Sequence, residues 1–150
     1  MVDAAQIGDG WFVGQIHHFP LRIYYEDTDL SGLVYHANYL KYCERARSSL
    51  LRLLGIDQRA ASEAGEGHYA VAEANIRYLR PAYLDDSLLV QTRCVELGAA
   101  SVRLAQQVFR GDDLLVELAI RVGFIGPDGR PRRQPQPWRA AFASFFQPVS

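Results

Sequence analysis

Only one stretch of this chain repeats its apolar residues with the period of an α-helix. In residues 36–56, HANYLKYCERARSSLLRLLGI, a step of about 100° per residue puts Tyr39, Tyr42, Cys43, Ala46, Leu50, Leu53 and Leu54 on one stripe. Lys41, Arg45, Ser48 and Arg52 fall opposite it. Gly55 stands where a left-handed glycine would end the helix. Leu40 and Leu51 lie off the stripe, which predicts a helix covered on more than one side. Beyond a connection over residues 57–67 the period changes to two. Candidate strands cover residues 69–79, 87–97, 101–110 and 114–125. The last is the clearest, with Leu114, Val116, Leu118, Ile120, Val122 and Phe124 on one face and Glu117 and Arg121 on the other. The breaks LGAA and RGDD are short, so consecutive strands are expected as antiparallel hairpins. A further strand precedes the helix at residues 18–25, HFPLRIYY, with Pro20 near its start, where a missing N–H is tolerated. One long helix beside one antiparallel sheet is an α+β layer architecture. The sheet's open edges leave a reason to dimerise.

Composition narrows the class further. The 150 residues are the usual size of one domain, with 49% hydrophobic and 22% charged residues, a globular balance. A net charge of −1 supplies no global field for nucleic acid or anionic lipid. All basic residues but Lys41 are Arg, so local pairing with phosphate or carboxylate stays open. Cys43 and Cys94 lie far apart, which excludes a disulfide framework and a cysteine metal site and points to a reducing compartment. The stretch MVDAAQIGDGWFVG has no basic region ahead of an apolar one, and no apolar run approaches a membrane span. The expectation is a cytoplasmic protein with no transmembrane segment. The Pro- and Arg-rich tail GPDGRPRRQPQPWR is expected to leave the sheet, with AAFASFF forming a last helical turn or staying loose.

The chemistry concentrates between Arg22 and Arg47. Asp27 and Asp29 end a strand, a Gly turn follows, and the helix starts between His36 and Asn38. A helix N-terminus offers unpaired N–H groups and partial positive charge. A carboxylate a few residues earlier can face a carbonyl whose oxygen rests on those N–H groups, an arrangement suited to acyl transfer. The same stretch opens like an EF-hand loop at Asp27, but its twelfth position is Asn38 where calcium needs a bidentate Glu, and a strand precedes it. No metal is therefore expected.

The string YYEDTD…GLVYHANYL, continued by YCERAR and more weakly by RYLRPAYLDDSL, resembles the hot-dog-fold thioesterases of the 4-hydroxybenzoyl-CoA thioesterase group. Within that group it is most similar to the Tol–Pal-associated acyl-CoA thioesterases. The resemblance covers about residues 18–130 of a single domain over residues 1–150, and its first motif is the specific one. It implies a five-stranded antiparallel sheet wrapped around one long helix, a homodimer or homotetramer with sites at a subunit interface, and an acyl-CoA substrate hydrolysed without a cofactor. It also implies that Asp29 is nucleophile or general base, that the backbone N–H of residue 36 polarises the thioester carbonyl, and that Tyr25 and the His36 side chain belong to the site. A thiolate leaving group, with a thiol pKa near about 8.5, needs little general acid, so a carboxylate and an oxyanion donor suffice. His36, at a helix start, is pushed towards its neutral form and donates or orients rather than carrying charge.

Blander roles stand beside these. Asp29 alone would be an Asx-turn or cap acid, and Asp27 is read as one. Tyr25 stands between core strand and site. Tyr35, Tyr39 and Tyr42 read as packing before chemistry, with Tyr35, Tyr39 and Arg80 also placed along the substrate. Glu44 reads as an intrahelical ion-pair partner of its neighbours, and His17, His18 and His68 as exposed. In the hydroxybenzoyl-CoA relatives the hairpin loop aligned with Leu97 to Ser101 is basic, whereas here it reads Leu-Gly-Ala-Ala-Ser. Nucleotide contacts then fall to Arg77, Arg80 or the RPRR segment, or are weak, and an acyl carrier protein stays open as acyl donor. The competing classes are a hot-dog hydratase, whose usual motif is absent, and a non-enzymatic acyl-binding scaffold associated peripherally with an envelope complex.

Overall fold

A computed structural model describes residues 8–146; the first seven residues, part of the stretch read above for a leader, and the last four lie outside it. The order is β1 (Trp11–Val13), β2 (Ile16–Arg22), a 3-10 turn (Tyr25–Asp27), α1 (Asn38–Leu53), α2 (Gln58–Glu63), β3 (His68–Tyr78), β4 (Ser87–Leu97), β5 (Ser101–Arg110), β6 (Asp113–Ile125) and α3 (Gln136–Ala143). The strands form one antiparallel sheet in the order β1-β2-β4-β5-β6-β3. It has six strands where the sequence predicts five. The sixth, β1, is three residues long, too short to show an alternation.

The stripe on α1 is buried as far as Leu50, whereas Leu53 in the last turn is exposed. Tyr39, Tyr42, Cys43, Ala46 and Leu50 pack into one core with Val90, Leu104, Val108, Val116 and Leu118 of the sheet. Burial pushes the Cys43 and Cys94 thiols up to about 12, so both are inert apolar fillers at neutral pH. Gly55 closes α1 with φ +76, while its N–H bonds the Arg52 carbonyl and the Ile56 N–H bonds the Leu51 carbonyl. That is a Schellman motif, with buried Ile56 as its apolar contact. The second cover predicted from Leu40 and Leu51 is incomplete: Leu51 packs on the core but Leu40 is exposed.

Several expectations change at the sheet's ends. The first long strand stops at Arg22, and Tyr25 leaves it for the 3-10 turn, because the Asp27 carboxylate captures the Tyr24 N–H at 2.8 Å. The connection after α1 contains α2, started by Asp57, whose Oδ1 accepts the Ala60 N–H at 3.0 Å. The tail leaves the sheet only briefly. Pro131 bridges back to Ile125, and α3 then delivers Phe142, with Trp138 beside it, against Tyr69 and Phe124. Phe145 reaches Phe12, with ring centres 5.7 Å apart. His17 is wholly buried rather than exposed, because it pairs opposite Thr92 on the inward face. Its Nε2 lies 2.9 Å from the Asp9 carbonyl, and desolvation lowers its pKa.

Strand β3 is the exception in the sheet. It forms one edge, and most of its residues are exposed on both faces, Val71 and Tyr78 among them. Strands β4, β5 and β6 bury alternate residues along most of their length.

Candidate active site

The segment between the 3-10 turn and α1 folds back on itself. Thr28 bridges Val34, and the Asp29 N–H bonds the Leu33 carbonyl at 2.8 Å. Gly32, with φ +81, makes that reversal without a Cβ penalty and returns its N–H to the Asp29 carbonyl at 3.0 Å. Asp29 therefore sits at the tip of a tight, exposed turn. Its Oδ1 accepts the Ser31 N–H at 2.8 Å and also the Ser31 hydroxyl. These two donors, the hydroxyl first, hold the carboxyl below its ordinary pKa, so it is ionised at neutral pH. Among the described residues Oδ2 has no hydrogen-bond partner. The Asx-turn geometry and an available carboxylate oxygen thus coexist in one residue.

Asp27 is the acid the turn is built on. Its Oδ2 takes the Tyr24 N–H, and its carbonyl takes the Tyr35 N–H at 3.0 Å and the Asn38 Nδ2–H at 2.8 Å. The Tyr35 carbonyl in turn accepts the Asn38 N–H at 2.9 Å. Because the peptide is trans, the His36 N–H points the opposite way from that carbonyl. It has no acceptor among the described residues. α1 then begins at Asn38 with its first N–H groups unpaired by any side-chain cap.

His36 is flanked by aromatic rings, Tyr35 at 4.6 Å and Tyr78, edge-on, at 6.1 Å between centres. With Leu33, Tyr39, Tyr78, Arg80 and Pro81 it lines an open groove of about 360 Å³. The structure thus gathers His36, Tyr39 and Arg80 in one groove, and Asp29 adjoins it through the bond to Leu33. Tyr39 is a buried wall whose phenol oxygen accepts the Ala82 N–H at 3.2 Å. Tyr35 is half exposed, its ring tilted against that of His36. Tyr25 is 83% exposed, so the core-strand alternative for it falls away. Arg80 is engaged by Asp113 at 3.1 Å and Arg77 by Glu117 at 3.5 Å.

Glu44 forms no ion pair among the described residues, contrary to the helical spacing argument, because its neighbour Arg47 turns inward to Gln106. The loop from Leu97 to Ser101 acquires one cation through the fold, since Arg139 of α3 donates to the Gly98 carbonyl at 3.1 Å. No three His, Cys, Asp or Glu residues among those described are grouped to hold a metal ion.

Sequence reasoning missed three residues. Ser31 orients Asp29, and the Asp-x-Ser spacing was a legible signal for it. Asn38 ties the helix start to Asp27. Tyr78, from the far edge of the sheet, donates to the His36 carbonyl at 2.9 Å, a contact across 42 positions that no local pattern shows.

An ionised carboxylate with one open oxygen, close in the chain to an unpaired amide at a helix start, suits attack on a carbonyl carbon. Comparison with known proteins finds thioesterases. The profile of the thioesterase superfamily matches residues 31–117. The acyl-CoA thioesterase YbgC of Haemophilus influenzae is 37% identical over 125 residues, covering 83% of this chain and 92% of that protein. The crystal structure of a probable thioesterase from Bartonella henselae is 36% identical with a TM-score of 0.75, covering 80% of this chain and 99% of that one. A 1,4-dihydroxy-2-naphthoyl-CoA thioesterase from Synechocystis, 24% identical, shares the fold with a TM-score of 0.80 over 85% of this chain and 96% of its own. By sequence and by fold, the chain belongs to the thioesterase superfamily.

Proposed function

We propose that the protein hydrolyses acyl-CoA thioesters to the free acid and coenzyme A. The observation that carries this reading is the pairing of an ionised Asp29 carboxylate, one oxygen free, with the unpaired His36 amide. The substrate carbonyl oxygen rests on the His36 N–H. Asp29 either attacks the carbonyl carbon or takes a proton from the water that does. The C–S bond then breaks with its electron pair going to sulfur. Water supplies the hydroxyl of the acid, either directly or by cleaving the anhydride that attack by Asp29 leaves and so freeing the carboxylate, and it supplies the proton that the thiolate keeps. The thiolate is a good leaving group, so the mechanism requires no strong acid. The His36 side chain orients water or thiol, and Tyr25, Tyr35, Tyr39 and Arg80 bound the substrate's path.

The catalytic unit is taken to be the whole of the described chain, which the Phe12–Phe145 contact closes end to end. It works as a homo-oligomer: β3 is an edge strand paired on one side only and exposed on both faces, and exposed edges pair with further strands. No described helix is long and apolar enough to cross a membrane, and both cysteines are free, which supports a cytoplasmic setting.

Thiol release measured across short, medium, long and aromatic acyl-CoAs tests the reading. The expected outcome is turnover of at least one class; no thiol released from any acyl-CoA by folded protein would refute it. Light scattering should show a dimer or larger, and a stable monomer at micromolar concentration would count against the shared edge.

A further inference from the structure

We propose that Tyr78 is a positioning residue for hydrolysis, whose phenol holds the peptide on the helix side of His36 and so keeps the carbonyl-polarising amide in its productive orientation. This rests on the site reading above. The need for such a hold is visible in α1 itself. Its N-cap is Ala37, which offers no side-chain acceptor, so the usual device that fixes a helix start is missing. Two consecutive peptides must nevertheless be held. The one joining Tyr35 to His36 is fixed by the bond between the Tyr35 carbonyl and the Asn38 N–H. The one joining His36 to Ala37 has a single partner among the described residues, the Tyr78 hydroxyl at 2.9 Å. The second peptide lies inside the turn that the Asn38 N–H closes on the Tyr35 carbonyl, so freedom in the second loosens that bond and with it the His36 N–H.

Tyr78 is itself well placed to be the fixed end. It closes β3, where its backbone pairs with Val116 of β6. Its ring meets Tyr39, which is buried and packed on Tyr42. The phenol thus ties the start of α1 to the sheet rather than to the turn that precedes it. Its ring edge also meets the His36 imidazole, so two routes of influence exist, the backbone carbonyl and the side chain. The hydrogen bond favours the first.

The test is Tyr78→Phe, which keeps the ring and removes only the hydroxyl. Thiol release is followed on the acyl-CoA that the wild-type enzyme turns over fastest. With the bond that positions the amide lost, at the worth of one ordinary hydrogen bond, kcat should fall about tenfold and KM should stay within about twofold. The urea midpoint and circular dichroism should be unchanged. In a His36→Ala background, where the backbone carbonyl survives, Tyr78→Phe should cost the same factor again. A kcat within about twofold of wild type would overturn the proposal. So would a loss confined to KM, which would put the phenol against substrate, and so would a loss that vanishes in His36→Ala. An unfolded Tyr78→Phe would overturn it as well, by making the role purely structural. Asp29→Asn assayed alongside separates the two claims: wild-type turnover there would sink the site reading rather than the role of Tyr78.

Discussion

Replacing Asp29 by Asn asks whether the turn acid is chemistry or scaffold. Asp29 Oδ1 accepts both the N–H and the hydroxyl of Ser31. An Asn carbonyl can accept the same two donors, so the turn keeps its geometry. The change falls on the other atom. Where Oδ2 offers lone pairs with no partner, Asn presents an N–H donor that can neither attack nor take a proton. The residue is exposed, so no buried charge is lost and no cavity forms. The unfolding midpoint should therefore stay at its wild-type value while kcat falls by about 10³-fold, within the range for losing a base or nucleophile. KM should barely move, because the charge is not needed to bind a neutral thioester. Thiol release under saturating acyl-CoA, with urea unfolding in parallel, measures both. Two neighbours calibrate the result. Asp27→Asn should retain most activity, since Asn can still accept the Tyr24 N–H. His36→Ala should lose less than Asp29→Asn, because the amide remains when the imidazole is removed. Asp29→Asn turnover within about tenfold of wild type would refute the reasoning, and so would equal losses for Asp27→Asn.

Ser31→Ala should move the acid limb of the pH–kcat profile upward. The Ser31 hydroxyl is the largest cause of the lowered Asp29 pKa, and the ionised form is the active one, so its loss makes activity fail at higher pH; an unmoved limb would show that Asp29 does not set it. Gln106→Leu should destabilise the fold by about 3 kcal/mol in urea unfolding. Gln106 is 1% exposed, donates to the Cys43 carbonyl and Thr92 Oγ1 at 3.0 Å each, and accepts Arg47 Nη1 at 2.9 Å. Arg47 and the Thr92 hydroxyl would be stranded, and a cost below about 1 kcal/mol would contradict that account. Val71→Lys, on the exposed edge β3, should shift the oligomer towards monomer by light scattering; an unchanged mass would place the interface elsewhere.

Much of the site was legible because its parts are close in sequence. Asp27, Asp29, Gly32, His36 and Asn38 lie within twelve residues of one another, and turn chemistry and helix-start chemistry act over that range. The structure sorted the two acids by partner. Asp27 is consumed by the Tyr24 N–H and by carbonyl contacts, whereas Asp29 keeps one oxygen open. Local pattern alone could not separate them, since both precede the same turn.

Periodicity determined the long helix, its buried stripe, its Gly55 stop and the four strands after it, because each depends on side chains repeating along one element. Three features were decided only when distant segments met. His17 is buried because its partner across the sheet is Thr92, a register no local window contains. The Arg47 guanidinium turns inward because Gln106, 59 positions away, accepts it, leaving Glu44 without the ion pair that helical spacing suggests. The carbonyl of His36 is held by Tyr78 because an edge strand ends beside the start of the helix. Hydrogen bonds of this kind depend on where strands stop and how they register, and those are set by packing the whole core rather than by any segment of the chain.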